Sequence, residues 1–467
     1  MNNSQSLAGK LLKSSLLYSV GSIGTKILSF VLVPLYTFFL TKEDVGIYDL
    51  IITIISLCIP IVTLQISDAL YRWLIDDQYI DRKEIIGTAI WIFLIAYSIV
   101  MLIMCMLSIF WRFVYIEYFL ILLFLNSILL LFQSILRGTG ELKFFALTGM
   151  GTSFLVFILN VIFFSFTKLG IEGVFLSIIL SYVVVSGILV RKLSIFCCIK
   201  LFNTKCALEM IKYSLPLVPN IMSIWLISSA SRIIILYKLG VDSNAIYAIS
   251  IRFASILFIV NSVLIYPIQD YILKHNNFDE NFKIILKKYV KFEFSIAGLL
   301  IVCCPIYMLF IVDESFYESW KYIPFLLIGV SIDSISALLG VYYQKIKKTL
   351  NITISSLMGG FFCICISYFL VEYYALYAMS FSYFISLFLV LFIRNLNLRK
   401  YSNVDVFDFY SVIYMILLLF LSFLVIRLDE IYYQLYLSFF VILGIIIMNK
   451  DLLKRGVIYV LQYKKNN

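Results

Sequence analysis

The sequence predicts an all-α polytopic membrane protein, and two observations carry that prediction. Of its 467 residues, 63% are hydrophobic and only 14% are charged, whereas soluble domains are about half apolar and about a quarter charged. Apolar runs of about 20 residues, the length that a helix needs to cross the hydrocarbon core, recur along the whole chain. A soluble fold of this size would need more polar surface than 27 acids and 37 bases supply.

The apolar runs predict about fourteen transmembrane helices separated by short polar breaks. The opening MNNSQSLAGK is polar, so we expect no cleavable signal peptide before the first span. No loop is long enough to form a domain outside the membrane, so the function must lie between the helices. The predicted spans are 14–40, 47–72, 86–110, 117–136, 145–167, 171–190, 213–237, 245–273, 289–312, 320–344, 351–371, 374–393, 409–427 and 431–449.

The distribution of Lys and Arg predicts the orientation of these spans. With a cytoplasmic N-terminus, the inner segments hold 28 of the 37 bases and the outer loops hold six, at most one in each. Cytoplasmic loops of membrane proteins carry such an excess of bases. The alternation therefore predicts that both termini are cytoplasmic and that the net charge of +10 marks the inner surface. It also argues against a nucleic-acid-binding protein, which would need a basic face on a soluble domain.

An offset of about 200 residues relates the two halves of the chain. It aligns Tyr48 with Tyr247 and Asp68 with Asp270. Six spans separate the two halves, so the repeat is parallel, as in some transporters. We therefore predict an N-terminal six-helix lobe over 1–212, a C-terminal six-helix lobe over 213–400, and two additional helices with a cytoplasmic tail over 401–467.

Several segments resemble a known family of transporters. The run GTKILSFVLVPLYTFFLTKEDVGIYDL (24–50) resembles the first hairpin of Wzx-type polysaccharide flippases, and SRIIILYKLGVDSNAIYAIS (231–250) resembles the seventh–eighth hairpin. QSILRGTGELKFF (133–145) and YYQKIKKTLN (342–351) are similar to the basic inner turns of this family. The family belongs to the MOP superfamily, with lipid II flippases and multidrug and toxin extrusion antiporters. The resemblance implies a cavity between two lobes, lined by spans one, two, seven and eight.

Three bases fall inside the predicted spans and are the candidate substrate-binding residues. They are Lys26, Arg232 and Arg252, and all three lie on helices that the resemblance assigns to the cavity. A charge within the bilayer costs several kcal/mol and is a functional candidate by default. For the two arginines, the alternative is that the side chains extend to the outer interface. A cationic cavity suits an anionic cargo, since Arg binds phosphate in a bidentate manner.

Acids in the predicted spans are candidates for ion coupling or gating. Asp333 lies near the middle of span ten, where a structural hydrogen bond is the alternative role. Asp68 and Asp270 end their spans at the predicted inner side and are candidates for a gate, while the first interpretation of Asp68 is a local pair with Arg72, four residues later. The nine cysteines lack metal-ligand spacing, and we predict neither a metal site nor a catalytic residue. We predict no cofactor, with H⁺ or Na⁺ as the candidate coupling ion.

The resemblance implies a flippase rather than an enzyme. Its cargo would be an undecaprenyl-pyrophosphate-linked oligosaccharide, moved to the outer leaflet of the bacterial inner membrane for O-antigen, capsule or exopolysaccharide synthesis. Membrane lipids and the polymerase and chain-length machinery are the expected partners. Two alternatives stay open: a cation-coupled multidrug antiporter, which would favour buried acids over bases, and a membrane polysaccharide polymerase, which usually needs a large outer loop.

Overall fold

The computed structural model describes most of the chain as a bundle of helices. It describes residues 28, 30–75, 81–110, 115–274, 279–346, 348, 350–402, 405–428 and 431–448, and this part contains no strand. The helices are α1 (Phe30–Phe39), α2 (Lys42–Val62), α3 (Ile66–Ile75), α4 (Arg82–Phe110), α5 (Ile116–Gly138), α6 (Leu142–Phe166), α7 (Ile171–Lys192), α8 (Ile195–Cys198), α9 (Thr204–Ser214), α10 (Leu217–Leu239), α11 (Val241–Ala254), α12 (Ile256–Lys274), α13 (Asp279–Ile311), a 3₁₀ helix η1 (Glu314–Tyr322), α14 (Ile323–Lys345), α15 (Leu350–Tyr374), α16 (Leu376–Leu398), α17 (Phe409–Arg427) and α18 (Ile431–Met448).

The predicted all-α polytopic fold is confirmed. Within the described residues, eleven helical segments are long and apolar enough to cross a membrane, and α1 is a shorter apolar helix. These segments differ in burial, because 89% of the apolar window in η1 and α14 is buried, against 22% in α4 and 17% in α17. Helix α14 is therefore central, while α4 and α17 expose apolar side chains of the kind that lipid covers. The number fourteen stays a prediction.

Two of the predicted spans are helix pairs rather than single helices. Span 47–72 is divided between α2 and α3, where Leu64 and Gln65 have positive φ angles of 47° and 54°. Pro60 lies just before this break and cannot donate a backbone hydrogen bond. Span 245–273 is divided at Ser255, between α11 and α12. Both breaks lie on helices that the predicted repeat aligns.

The helices pack as two groups, one before and one after the start of α10. Helices α2 to α7 contact one another, and so do α10 to α16. Helix α17 packs on α13 and α14, and α18 packs on α13. The principal contacts between the groups join α2 to α10 and α11. The predicted lobe boundaries, between residues 212 and 213 and between residues 400 and 401, stay predictions. The first of them falls within α9.

Candidate functional site

A capping box begins α2, the helix that contains Asp49. The Thr41 hydroxyl accepts a hydrogen bond from the Asp44 amide at 3.1 Å, and the Asp44 carboxylate accepts one from the Thr41 amide at 3.3 Å. These bonds satisfy backbone donors that the first helical turn leaves free. Asp49 follows Lys42, the first residue of α2, by seven positions and so lies about 10 Å into the helix. Its side chain is buried.

Arg232 of α10 forms an ion pair with Asp49 of α2. Its Nη1 atom lies 3.1 Å from Oδ1 and 3.0 Å from Oδ2 of Asp49, and it also donates to the Thr53 hydroxyl. The side chains of Arg232 and Asp49 are 14% and 5% exposed. Arg232 lies about two turns before the end of α10, and Asp49 lies about two turns after the start of α2. The pair therefore joins the two helix groups at matching depth.

Arg252 of α11 completes a three-residue charge cluster with Asp49 and Arg232. Its Nη2 atom lies 3.9 Å from Asp49 Oδ1, which is too long for a hydrogen bond. The guanidinium instead lies over two aromatic rings of the first group, 5.3 Å from the Tyr48 centroid and 5.7 Å from that of Tyr36. Such cation–π contacts add about 0.5–2 kcal/mol each, more when water is excluded. Arg252 therefore contacts α1 and α2 from across the group boundary.

Close backbone approach surrounds the charge cluster. A Cβ added to Gly46 would lie 2.3 Å from the Val241 carbonyl oxygen, so α2 and α11 meet at a distance that only glycine permits. The Asn244 side-chain amide donates to the Gly46 carbonyl at 3.0 Å. The Trp225 indole of α10 donates to the Ser56 hydroxyl of α2 at 2.9 Å. The structure thus holds these ends of the two groups closed against each other.

A cavity of about 440 Å³ lies beside the cluster, among helices of the second group. Arg232, Asp333 and Arg394 line it together with largely apolar side chains. Arg394 is 7% exposed, and its guanidinium donates to the hydroxyls of Ser355 and Ser356, each at 2.9 Å, and to the carbonyl and hydroxyl of Ser336. Neutral oxygens therefore satisfy this buried cation, while Asp333 remains half-buried at the cavity wall.

One known protein family matches more than half of the chain. The family described as "Polysaccharide biosynthesis protein" matches residues 11–272, more than half of the chain and all of α2, α10 and α11. The chain belongs to this family. No curated protein sequence is similar enough to count as a match.

Solved structures show the fold of this polysaccharide biosynthesis protein. The lipid II flippase MurJ in an inward closed conformation is 15% identical, with a TM-score of 0.69 over 94% of this chain and 100% of that chain. A multidrug resistance MATE family transporter of the MOP superfamily, inward-facing, is 14% identical, with a TM-score of 0.62 over 82% and 94%. The MATE transporter VcmN of Vibrio cholerae is 17% identical, with a TM-score of 0.57 over 86% and 99%. These likenesses confirm the predicted fold, which the chain shares with these flippase and transporter structures.

The structure brings together some of the predicted site residues and not others. Arg232 and Arg252 share the charge cluster, and neither extends freely to an interface. Asp333 lines the adjacent cavity. Lys26 lies outside the described residues, and Asp270 belongs to α12 but its side chain lies outside them as well. Asp68 accepts a hydrogen bond from Gln65 at 3.0 Å, at the start of α3 and away from the cluster. The assigned roles of all six residues stay predictions.

Three buried charged residues are not among the site residues that the sequence predicted. Asp49 lies within an apolar run, and the cost of an intramembrane charge could have identified it as it identified Arg232. Glu293 lies four residues inside the predicted span nine and could have been found in the same way. Arg394 was counted among the inner-surface bases because it follows the predicted end of span twelve by one residue. The structure instead extends α16 to Leu398 and buries Arg394.

The charge cluster carries an excess of positive charge. Two guanidinium groups face one carboxylate, which leaves one formal positive charge. Asp49 accepts one hydrogen bond from Arg232, at Oδ1, and only attracts Arg252 over 3.9 Å. A phosphate group carries more charge and more acceptor oxygens than a carboxylate and binds two arginines in a bidentate manner. The arrangement thus suits competition between Asp49 and an anionic ligand.

Proposed function

We propose that this protein is a flippase that moves a lipid-linked oligosaccharide from the cytoplasmic to the outer leaflet of the bacterial inner membrane. The observation that carries the proposal is the charge cluster. In it, Arg232 and Arg252 of the second helix group face Asp49 of the first, and the three side chains together have a net positive charge. Family membership in polysaccharide biosynthesis supports an oligosaccharide cargo. An undecaprenyl-pyrophosphate carrier fits, because its two phosphates supply the negative charge that two arginines would bind.

The proposed transport cycle uses the contact between α2, α10 and α11 as a gate. In the closed state Asp49 forms an ion pair with Arg232, and Arg252 lies over the rings of Tyr36 and Tyr48. The pyrophosphate of the cargo would replace Asp49 as the partner of both arginines and so favour separation of the helices. A ligand shifts such an equilibrium only by its difference in affinity for the two states. Release of the cargo would restore the Asp49 pair and reclose the contact.

The polyprenyl tail need not enter the cavity in this proposal. Its hydrocarbon chain is as apolar as the lipid around the bundle, whereas the sugars and phosphates need polar surroundings. The headgroup therefore crosses between the helix groups while the tail remains in the bilayer. We expect cytoplasmic termini and functional association with the polymerase and chain-length machinery, and we propose H⁺ as the coupling ion.

A cation-coupled multidrug antiporter is the second candidate function. The observation that favours it is Asp333 at the cavity wall, because a carboxylate attracts cationic drugs. The same cavity contains Arg232 and Arg394, which would repel them. The positive balance of the cavity and the polysaccharide family therefore favour the flippase.

A complementation assay tests the proposed function. We expect Lys26→Ala and Arg252→Ala each to abolish surface polysaccharide in a strain that lacks the chromosomal gene, at unchanged protein level, because each removes a cation from the route of the pyrophosphate. Arg399→Ala is the matched control, since Arg399 forms a half-exposed ion pair with Asp405 away from the cluster. Full activity of both variants would refute the cationic cavity. Drug resistance on overexpression without any polysaccharide phenotype would favour the antiporter.

A further inference from the structure

A carboxyl group without a hydrogen-bond partner lies inside the second helix group. Glu293 of α13 is 0% exposed. Neither of its carboxylate oxygens accepts a hydrogen bond within the part of the chain that the structure describes. An ionised carboxylate in such a site would lose its hydration without compensation, at a cost of several kcal/mol or more. The burial therefore favours neutralisation of Glu293, by a proton on its carboxylate or a cation beside it.

Polar side chains from three helices face this carboxyl group. They are Asn261 of α12, Tyr289 of α13 and Ser334 of α14, which with Glu293 form the buried polar cluster. The Asn261 amide donates to the Ser334 hydroxyl, and Tyr289 and Asn261 are the groups that interact with Glu293. The Asn261 side-chain oxygen and the Tyr289 hydroxyl also lack hydrogen-bond partners among the described residues. The atoms of the buried polar cluster that lack a hydrogen-bond partner are therefore all oxygens, and they belong to Glu293 itself or to the residues beside it.

One proton would satisfy this set of atoms. A protonated Glu293 could donate to the Asn261 oxygen, while its other oxygen accepts from the Tyr289 hydroxyl. Ca²⁺ and Mg²⁺ are poorer fits, because they take about six to eight oxygen ligands and the cluster offers one carboxyl group, one amide oxygen and two hydroxyls. Among the described residues of α17, α18 and η1, which also pack on α13, no titratable group acts on Glu293.

The buried polar cluster lies directly behind the wall of the cavity. Ser334 of the cluster follows Asp333, which lines the cavity. Asn261 follows Phe258, another lining residue, by one helical turn. Tyr289 interacts with Ser334, Asp333 and Glu293. A route of side chains therefore leads from the cavity, which Arg232 also lines, to the carboxyl group of Glu293.

We propose that Glu293 is the proton-binding residue that couples transport to the proton gradient, with Asp333 as the entry point from the cavity. A proton from water binds the Asp333 carboxylate. The Tyr289 hydroxyl then accepts this proton while passing its own to Glu293, so that Asp333 is again ionised and Tyr289 is unchanged. The reverse transfer releases the proton after the helices have rearranged. The role in transport rests on the proposed function, but proton binding by Glu293 does not.

Infrared titration of the purified full-length protein tests proton binding directly. A protonated carboxyl group has a carbonyl band that is separate from the bands of carboxylates. We expect the wild type in liposomes to show the band of one buried carboxyl group that disappears as the pH is raised. Glu293→Gln, which keeps the size and removes the titration, should lose this band, and Asp333→Asn should keep it while slowing its response to a pH jump. Thermal unfolding of each variant verifies the fold.

Two results would overturn the proposal. The first is an unchanged band in Glu293→Gln. The second is a wild-type band that NaCl at constant pH abolishes, while KCl at equal concentration does not, because this would assign the cluster to Na⁺. The polysaccharide assay is interpreted separately. If Glu293→Gln loses the band and complementation still requires Arg252, both proton binding by Glu293 and the flippase function are supported. Loss of the band together with drug resistance in place of polysaccharide synthesis would uphold proton binding and refute the flippase.

Discussion

Replacement of Asp49 by Asn should open the contact between α2, α10 and α11. Asn keeps the size and one acceptor oxygen of Asp49 but removes the charge that holds Arg232 at 3.0 Å and attracts Arg252 at 3.9 Å. Both arginines would then lie close together without a carboxylate. In the separated state water would solvate them, so the substitution destabilises the closed state selectively.

The magnitude follows from the burial of the pair. Breaking a fully buried ion pair by removing one partner costs about 3–5 kcal/mol. Arg232 is 14% exposed, and the amide oxygen that Asp49→Asn leaves in place would still accept a hydrogen bond. We therefore expect a smaller cost of about 2–3 kcal/mol. At about 1.4 kcal/mol per factor of ten, the ratio of closed to separated protein should fall by roughly 30- to 150-fold.

Distances between spin labels measure this ratio. Glu43 at the start of α2 and Asp242 at the start of α11 are exposed, and cysteines at these positions in a background without the nine native cysteines would report the separation of the two helix ends. We expect a short distance in the wild type and a predominantly longer one in Asp49→Asn. Asp44→Asn is the matched control, because it alters an acid on the same helix that contacts Thr41 but not Arg232.

A charge exchange makes the test specific. Asp49→Arg combined with Arg232→Asp should return the distribution toward the short distance, whereas each substitution alone should not, since only the double variant restores an attractive pair. An unchanged distance distribution in Asp49→Asn would show that the ion pair does not hold the contact, and the gate proposed above would fail.

Two further predictions concern packing and pH. Gly46→Ala should also lengthen the distance between labels on α2 and α11, because its Cβ would lie 2.3 Å from the Val241 carbonyl oxygen, whereas Gly151→Ala, with open space around it, should leave the distance unchanged. Asp408 pairs with Lys287 at 3.0 Å; burial opposes its ionisation, but hydrogen bonds from Ser411 and the Lys287 ammonium outweigh burial and lower the pKa of Asp408. Its contribution is therefore present above about pH 4, the ordinary pKa of Asp, and is lost as the pH falls through the lowered value. Asp408→Asn, which keeps the helix cap, should cost about 0.5 kcal/mol in thermal unfolding at pH 7 and nothing under strong acid; an equal cost at both pH values would contradict this sign.

Much of the fold was predictable because the solvent imposes it. In lipid every backbone polar group must be satisfied internally, so apolar runs of sufficient length become helices whatever their neighbours are. The importance of Arg232 and Arg252 was predictable for a related reason, since a charge within the bilayer is costly enough to require a function or a partner. The breaks at Leu64 and Ser255 were not predictable from hydropathy, because both lie within apolar sequence that a continuous helix would satisfy equally well.

The sequence by itself determined that this protein is a helical membrane bundle with arginines inside it, because hydrophobicity and charge are properties of single residues and of short runs. Only the tertiary structure decided which charges meet. Asp49 and Arg232 are 183 positions apart, and their pairing depends on the approach of α2 to α10 and α11 that Gly46 permits. The same is true of Glu293, whose neighbours come from α12 and α14. Which distant side chains meet depends on which helices are neighbours in the bundle. A hydropathy pattern that repeats along the chain contains almost no information about that arrangement.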